Sequence, residues 1–231
     1  MSAGNIVILT GAGISAESGL GTFRDKGGLW ENVALEEVAT PEAFARDPAR
    51  VHGFYNSRRK GAARAAPNAA HDALARLERG WAGEVLVVTQ NVDNLHSRAG
   101  TTNLLHMHGA LHRARCAGCD HKWDAPAVMA PEDPCPSCAA PSTRPDIVWF
   151  GEMPHHMHEI FTALAAAELF VAIGTSGAVY PAAGFAAEAR RLGARTLELN
   201  LAPSDVICDF DDARHGPATR VVPDWVAEML G

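Results

Sequence analysis

Concentrated positive charge is missing from this sequence. Lys plus Arg number 20 against 27 for Asp plus Glu, the formal charge is −7, and apart from Arg58-Arg59-Lys60 the basic residues are scattered. A nucleic-acid surface needs clustered Lys and Arg to neutralise phosphates, so no nucleic-acid partner is expected. No leader pattern is visible at the start either: Met1-Ser2-Ala3-Gly4-Asn5 runs into Ile6-Val7-Ile8-Leu9 with no basic region and no cleavage site. No secretory signal or targeting extension is expected, which points to the cytoplasm. Solenoid repeats and low-complexity tails are absent. A single stretch, Leu169 to Ala187, carries no charge over a length that would cross a bilayer. Gly174, Thr175, Ser176, Gly177, Pro181 and Gly184 interrupt it, so it reads as strand, turn and helix start in a core, with no membrane partner.

What is present suits one large α/β domain of 231 residues, 47% of them hydrophobic. Short β-rich runs at Ile6–Thr10, Val85–Thr89, Ile147–Phe150, Leu169–Ile173, Thr196–Leu199 and Arg220–Val222 alternate with helical patterning. That alternation predicts a doubly wound parallel sheet covered on both faces, Rossmann-like in class. One helix has clear signals: Asn68 to cap it, Leu74 and Leu77 on one face, and Gly80 to end it in the left-handed conformation. Between Arg113 and Arg144 aliphatic residues thin out and prolines gather at 126, 131, 134, 136 and 141. The expected division is a large lobe of 1–34, 68–112 and 145–231, a helical insertion at about 35–67, and a small inserted lobe at about 113–144.

The first run leads into Gly11-Ala12-Gly13-Ile14-Ser15-Ala16, which meets the G-x-G-x-x-G/A spacing between a strand and a helix. Glycines there let the backbone approach a dinucleotide pyrophosphate at a helix N-terminus. A hydride-transferring dehydrogenase should carry an Asp or Glu at the end of a second strand some twenty residues on. Here the stretch Gly19 to Trp30 is instead glycine-rich and polar, and it reads as a loop folding over a ligand rather than as redox use of the dinucleotide.

Cys116-x₂-Cys119 and Cys135-x₂-Cys138 stand fifteen residues apart, the spacing of two knuckles that close a Cys₄ zinc site. Four thiolates leave no position for water, so the expected metal is structural. The segment's chief apolar residues, Trp123 and Val128, cannot form a core unaided, and chelation should disturb the groove beside it. The remaining cysteine, Cys208, is expected to pack as a small hydrophobe.

Taken in order, the blocks Gly11 to Gly19, Thr22-Phe23-Arg24, Thr89-Gln90-Asn91-Val92-Asp93-Asn94-Leu95-His96, His106-Met107-His108-Gly109, the cysteine pairs, Val148-Trp149-Phe150-Gly151-Glu152 and Gly174-Thr175-Ser176 resemble the sirtuin family of NAD-dependent protein lysine deacylases. The resemblance covers nearly the whole chain and implies a single catalytic domain that consumes NAD. In the family's reaction the acyl-lysine carbonyl attacks the nicotinamide ribose, nicotinamide leaves, and a histidine helps deprotonate a ribose hydroxyl. A histidine suits this because its pKa of about 6.5 leaves a neutral base near pH 7. The resemblance assigns His108 this role, with Asn91 as second catalytic residue. His106 is a rival on the argument that residues two apart on a strand share a face. His155, His156 and His158 follow Pro154 on an expected exposed loop and receive no role.

By the same resemblance NAD is held by Gly11, Ala12, Gly13, Ile14, Ala16, Glu17, Thr22, Phe23, Arg24, Trp30, Gln90, Asn91, Val92 and Asp93 toward its phosphates and nicotinamide. Gly174, Thr175, Ser176, Asn200, Leu201, Ala202 and Ala218 lie toward its adenosine. Gly21 stands where many relatives carry Pro. Val148, Phe150 and Gly151, with Gly177 to Tyr180, are expected to pair with an acylated peptide as an added strand, which gives affinity with little side-chain code. Cys116, Cys119, Cys135 and Cys138 hold the zinc.

Tyr55 and Arg58, three apart on a helical pattern, could grip a carboxylate. The Tyr-x-x-Arg arrangement resembles the sirtuin branch that removes succinyl and malonyl groups, so activity on succinyl-, malonyl- and acetyl-lysine is expected. Arg59 is an alternative at four-residue spacing. Two other functions use the same fold: a non-enzymatic NAD or ADP-ribose sensor, and mono-ADP-ribosyl transfer.

Overall fold

The computed structural model describes residues 4–22 and 35–231. It begins with β1 (Asn5–Thr10), α1 (Gly13–Ala16), α2 (Pro41–Arg46), α3 (Pro48–Arg64) and α4 (Ala69–Gly80). Then come β2 (Val85–Thr89), α5 (Leu95–Ala99), β3 (Leu104–His106), β4 (Gly109–Cys116), β5 (Lys122–Asp124) and β6 (Thr143–Ile147). The chain closes with α6 (Met157–Ala166), β7 (Ala167–Ile173), α7 (Phe185–Arg191), β8 (Arg195–Asn200), β9 (Asp212–His215) and α8 (Ala218–Leu230).

Six strands form one parallel sheet in the order β3-β2-β1-β7-β8-β9. Side chains of a strand alternate between faces, and the sequence satisfies both. Ile6, Ile8, Val85, Val87, Leu169 and Val171 face α4 and α8, where Leu74, Leu77, Val222 and Trp225 cover them. Val7, Leu9, Leu86, Val88, Phe170 and Ala172 face Ile160 and Leu164 of α6 and Phe185 and Ala189 of α7. The alternation of elements thus predicts the doubly wound α/β fold correctly, because continuous apolar strands are stable only when buried on both faces.

Two expected strands differ. The run Ile147–Phe150 starts where β6 ends, and Val148 to Phe150 leave the sheet. The run Arg220–Val222 lies in α8, whose buried residues Val221, Val222, Trp225 and Val226 form a helical stripe. Two adjacent valines fit either period, and the following Trp-Val pair decides for the helix. Asn68 caps α4 as expected, its side chain accepting from the Ala70 amide at 3.0 Å. Gly80 does not take the left-handed conformation: α4 ends on an extended Trp81. A Cβ on Gly80 would come within 3.0 Å of the Leu230 side chain, so this glycine makes room for the end of α8.

A second sheet, β5-β4-β6, is antiparallel and carries the cysteine pairs. A third apolar cluster joins α3 to the chain leaving β6, through Val51, Tyr55, Leu111, Ile147 and Trp149. Among the described residues no helix is long and apolar enough to cross a membrane. The stretch Leu169 to Ala187 is divided between β7, a turn, a short 3-10 helix and α7.

Candidate active site and metal centre

In the strand order the chain turns back between β1 and β7, and ligands of open α/β folds bind outside the carboxyl ends of the strands at that point. Gly11, Gly13 and Gly174 interlock there. The Gly11 amide donates to the Ile173 carbonyl at 2.9 Å and the Gly13 amide to the Gly174 carbonyl at 2.8 Å. A Cβ on Gly11 would lie 2.7 Å from the Gly174 carbonyl oxygen, and one on Gly13 would lie 2.7 Å from the Gly174 Cα. Gly174 itself has φ of 61°. The glycines are therefore required by packing of backbone on backbone, a constraint that adds to the room for a phosphate expected from the motif.

Amide and hydroxyl side chains collect along the same edge. Gln90 Nε2 donates to Thr175 Oγ1 at 3.0 Å, and Asn200 Nδ2 donates to the Thr175 carbonyl at 2.8 Å. Asn91 Nδ2 donates to the Gly11 carbonyl at 3.1 Å and lies 3.2 Å from Ser15 Oγ, which donates to Asp93 Oδ2 at 3.1 Å. Asn91, Asp93 and Ser15 are buried. Glu17 accepts from the Thr219 amide and hydroxyl, tying the first turn to α8 beside Ala218. Leu201 and Ala202 are exposed on the loop after β8. Thr22 is described; Phe23, Arg24 and Trp30 lie outside the described residues.

Two polar residues missed by sequence reasoning belong to this set. His71, fully buried on α4, has Nε2 3.4 Å from Ser15 Oγ. His96, on α5, has Nε2 3.0 Å from Thr10 Oγ1, and the two rings are 4.9 Å apart. Burial drives the His71 pKa down to about 4, against the attraction of Asp93. It pushes His96 well down also, helped by His71 and His106. The signal available for His71 was its place three residues after a capping Asn, which explains the cap but not the reach to Ser15.

His106 ends β3, whereas His108 sits in the turn before Gly109, which has φ of 78°. The expectation that they share a face of one strand is therefore not met. They face the same loop through different bonds: His106 Nδ1 lies 3.4 Å from the Asn91 carbonyl and His108 Nδ1 3.2 Å from the Gln90 carbonyl. A carbonyl only accepts, so each Nδ1 carries the proton and Nε2 holds the lone pair of a neutral ring. Burial lowers both pKa values. The two histidines differ in what surrounds Nε2, which in His106 is buried without a partner. A Cβ on Gly109 would lie 2.0 Å from the Asp146 carbonyl, which fixes the turn that presents His108. His155 is half-buried with Nε2 3.6 Å from Asp146, and His158 is in α6, so these two are not on the exposed loop expected for them.

On α3, Tyr55 is buried and Arg58 half-buried one turn on, with the Arg58 guanidinium 5.9 Å from the Phe54 ring. Burial raises the Tyr55 pKa to about 12 and lowers that of Arg58, with Tyr55 and Asp93 acting to restore the latter. Arg59 is committed elsewhere. Its Nε donates to the Leu111 carbonyl at 2.7 Å, Nη1 to Asn56 at 2.7 Å and Nη2 to Met129 Sδ at 3.1 Å. Val148 is half-buried with its amide on the His108 carbonyl at 3.0 Å, while Phe150 and Gly151 are exposed.

The sulfurs of Cys116, Cys119, Cys135 and Cys138 all lie within 4.8 Å of one another. Cys116 to Cys138 is 3.7 Å and Cys119 to Cys135 is 3.8 Å, against about 3.8 Å for the edge of a tetrahedron with Zn–S near 2.3 Å. The two knuckles repeat each other. Amides of Gly118 and Ser137 point at Cys116 and Cys135, and Asp120 and Ala139, each just after a second cysteine, have φ of 57° and 59°. The donor set fits a structural zinc. Val128 is 70% exposed, in keeping with a segment that forms no core of its own, whereas Cys208 is exposed and does not pack inward as expected.

Comparison with known proteins agrees with this architecture. A family model described as Sir2 family matches residues 11–181. The chain is 56% identical over 229 residues to an NAD-dependent protein deacylase of Caulobacter vibrioides, covering 97% of this chain and 96% of that one. A solved Sir2 homolog–NAD complex superposes with a TM-score of 0.90 at 37% identity, over 98% of this chain and 90% of the other. A Sir2–p53 peptide–NAD+ structure gives 0.82 at 28% identity, over 98% and 93%. With agreement of this extent in sequence and in fold, the chain belongs to the Sir2 family.

Proposed function

We propose that the chain is an NAD-dependent protein lysine deacylase in which His108 is the general base and Asn91 positions the reacting ribose. Bound NAD supplies an electrophilic ribose carbon, so that nicotinamide is released and the acyl group passes from lysine to ADP-ribose. The residues inferred to hold it include those gathered along the switch-point edge. Gly11, Ala12, Gly13, Ile14, Ala16, Glu17 and Thr22, with Phe23, Arg24 and Trp30, take the phosphates and inner ribose. Gln90, Asn91, Val92 and Asp93 take the nicotinamide end, and Gly174, Thr175, Ser176, Asn200, Leu201, Ala202 and Ala218 the adenosine. The single observation that carries the reading is the His108 tautomer. The Gln90 carbonyl holds its Nδ1 proton and burial keeps the ring neutral, so Nε2 is ready to take a proton.

The substrate we infer is an acylated lysine on an extended peptide laid along Val148, Phe150 and Gly151, bound mainly through its backbone. Succinyl, malonyl and acetyl groups are all accepted, the acidic chains through Tyr55 and Arg58. A desolvated guanidinium beside a buried neutral phenol supports this, because such a cation gains most from an incoming carboxylate. The cytoplasm is the compartment of action, since reduced thiols are what a Cys₄ site requires. Incubation with NAD and acetyl- or succinyl-lysine peptides should release nicotinamide and yield unmodified peptide with O-acyl-ADP-ribose by mass spectrometry. An ADP-ribosylated peptide, or binding without nicotinamide release, overturns the reading. Arg58→Met should lower the succinyl-to-acetyl ratio of kcat/KM by about tenfold or more, the worth of a charged hydrogen bond. A retained ratio ends the carboxylate clamp.

A further inference from the structure

We infer that Trp149 is a positioning residue for acyl selectivity: its indole N–H fixes the orientation of the Tyr55 hydroxyl, so that the phenol presents its proton to an acidic acyl chain. The inference rests on the carboxylate-clamp reading of Tyr55 and Arg58 and adds the group that aims one half of that clamp.

Trp149 and Tyr55 are 2% and 3% exposed, and Trp149 Nε1 lies 3.1 Å from Tyr55 Oη. An indole N–H can only donate, so the phenol oxygen must accept. A phenolic O–H lies near the plane of its ring, which leaves two orientations. The indole N–H takes the acceptor side in one of them, and the hydroxyl proton is turned to the other. With its pKa raised by burial, the phenol keeps that proton at neutral pH. Tyr55 then has one donor to offer, on the side away from the indole. An acid group meets a donor there instead of a second lone pair.

Trp149 is itself held at three points. Its backbone amide donates to Glu152 Oε2 at 2.8 Å. The buried Arg144 guanidinium stacks on its face, 3.4 Å from the ring centroid, and binds Glu152 through two hydrogen bonds of 2.7 and 2.9 Å. The Phe44 ring packs on it with centroids 5.2 Å apart. A cation on the face of an indole draws electron density from the ring, which makes its N–H a stronger donor. Chain leaving β6, where a strand had been expected, is thereby turned into a bracket for a side chain on α3. An acetyl group has no carboxylate to meet the phenol proton, so this bracket should act on acyl choice and not on deacylation as such.

Trp149→Phe removes the N–H and keeps an aromatic ring under Arg144. Binding of succinyl- and acetyl-lysine peptides by fluorescence anisotropy without NAD, and kcat/KM for both peptides with NAD, would be measured in wild type, Trp149→Phe, Tyr55→Phe and the double variant. The preference for succinyl over acetyl should fall about tenfold in each single variant, the worth of one hydrogen bond to a charged group. The double variant should fall no further, because both changes remove the same interaction. If Tyr55→Phe loses the preference and Trp149→Phe keeps it, the positioning role is wrong and the clamp stands. If Tyr55→Phe and Arg58→Met both keep it, the clamp is wrong and the role falls with it. Equal weakening of both peptides in Trp149→Phe marks a packing role only and also overturns the inference. Benzothienylalanine at position 149, which replaces the N–H with sulfur at nearly constant shape, serves should Trp149→Phe fail to fold.

Discussion

Strands β1, β2 and β7 are buried on both faces by four helices, while β4, β5 and β6 carry the cysteine pairs in a lobe that contributes little to any apolar cluster. Among the described residues, none from 113 to 146 joins the three hydrophobic clusters. The first sheet is held by apolar surface removed from water on both faces. The second has Val128 exposed, Trp123 half-buried against His121, and four sulfurs at the spacing of a tetrahedron. One chain thus uses two sources of stability, and they should fail separately.

Metal removal gives the largest separation. A structural Zn²⁺ contributes about 10–16 kcal/mol in small modules, so chelation or Cys135→Ser should abolish metal binding and deacylation while far-UV circular dichroism keeps the helical signal. An unchanged melting profile and full activity after metal loss would show that the small lobe stands without it. Next in size is His108→Ala, which leaves both sources of stability intact and should cut kcat/KM by about 10²–10⁴, the range of general base catalysis. Loss of activity accompanied by an equal drop in melting temperature would instead make His108 a structural residue.

Acid should act on the first region through its buried histidines. His71 has a folded pKa of about 4, below the ordinary value near 6.5, so the unfolded chain binds the extra proton between these limits. Stability is full above pH 6.5 and falls as pH drops toward 4, by about 3 kcal/mol for His71 alone. Urea unfolding at pH 7 and pH 5 checks this, and a His71→Asn variant should flatten the difference. Equal midpoints for the wild type at the two pH values would contradict the buried, neutral His71.

Much of the site was legible because its residues sit in contiguous blocks. Gly11 to Ala16, Thr89 to His96 and Gly174 to Ser176 are each a strand end with the turn that follows, and strand ends in a parallel sheet meet on one edge. The cysteine spacing was equally direct, since two knuckles are local structures. The misread parts have a common cause. Val221 and Val222 fit the period of a strand as well as that of a helix, and Trp225 and Val226 complete a helical stripe against α4. The short strands β3 and β9 left no clear pattern. For His106 and His108 a shared strand was assumed, yet a turn separates them and their carbonyl partners set their tautomers.

The sequence by itself determined the alternation of elements, the glycine turn after β1, the four-thiolate set and the helical spacing of Tyr55 and Arg58 on α3, because each is written within a few residues by period, spacing or chain geometry. Tertiary structure alone decided that Arg59 is bonded to Leu111, Asn56 and Met129. It also brought His71 against Ser15 and Trp149 against Tyr55, contacts that span 56 and 94 residues. Such pairings depend on which faces a folded sheet buries together, and no local pattern in the chain records that distance.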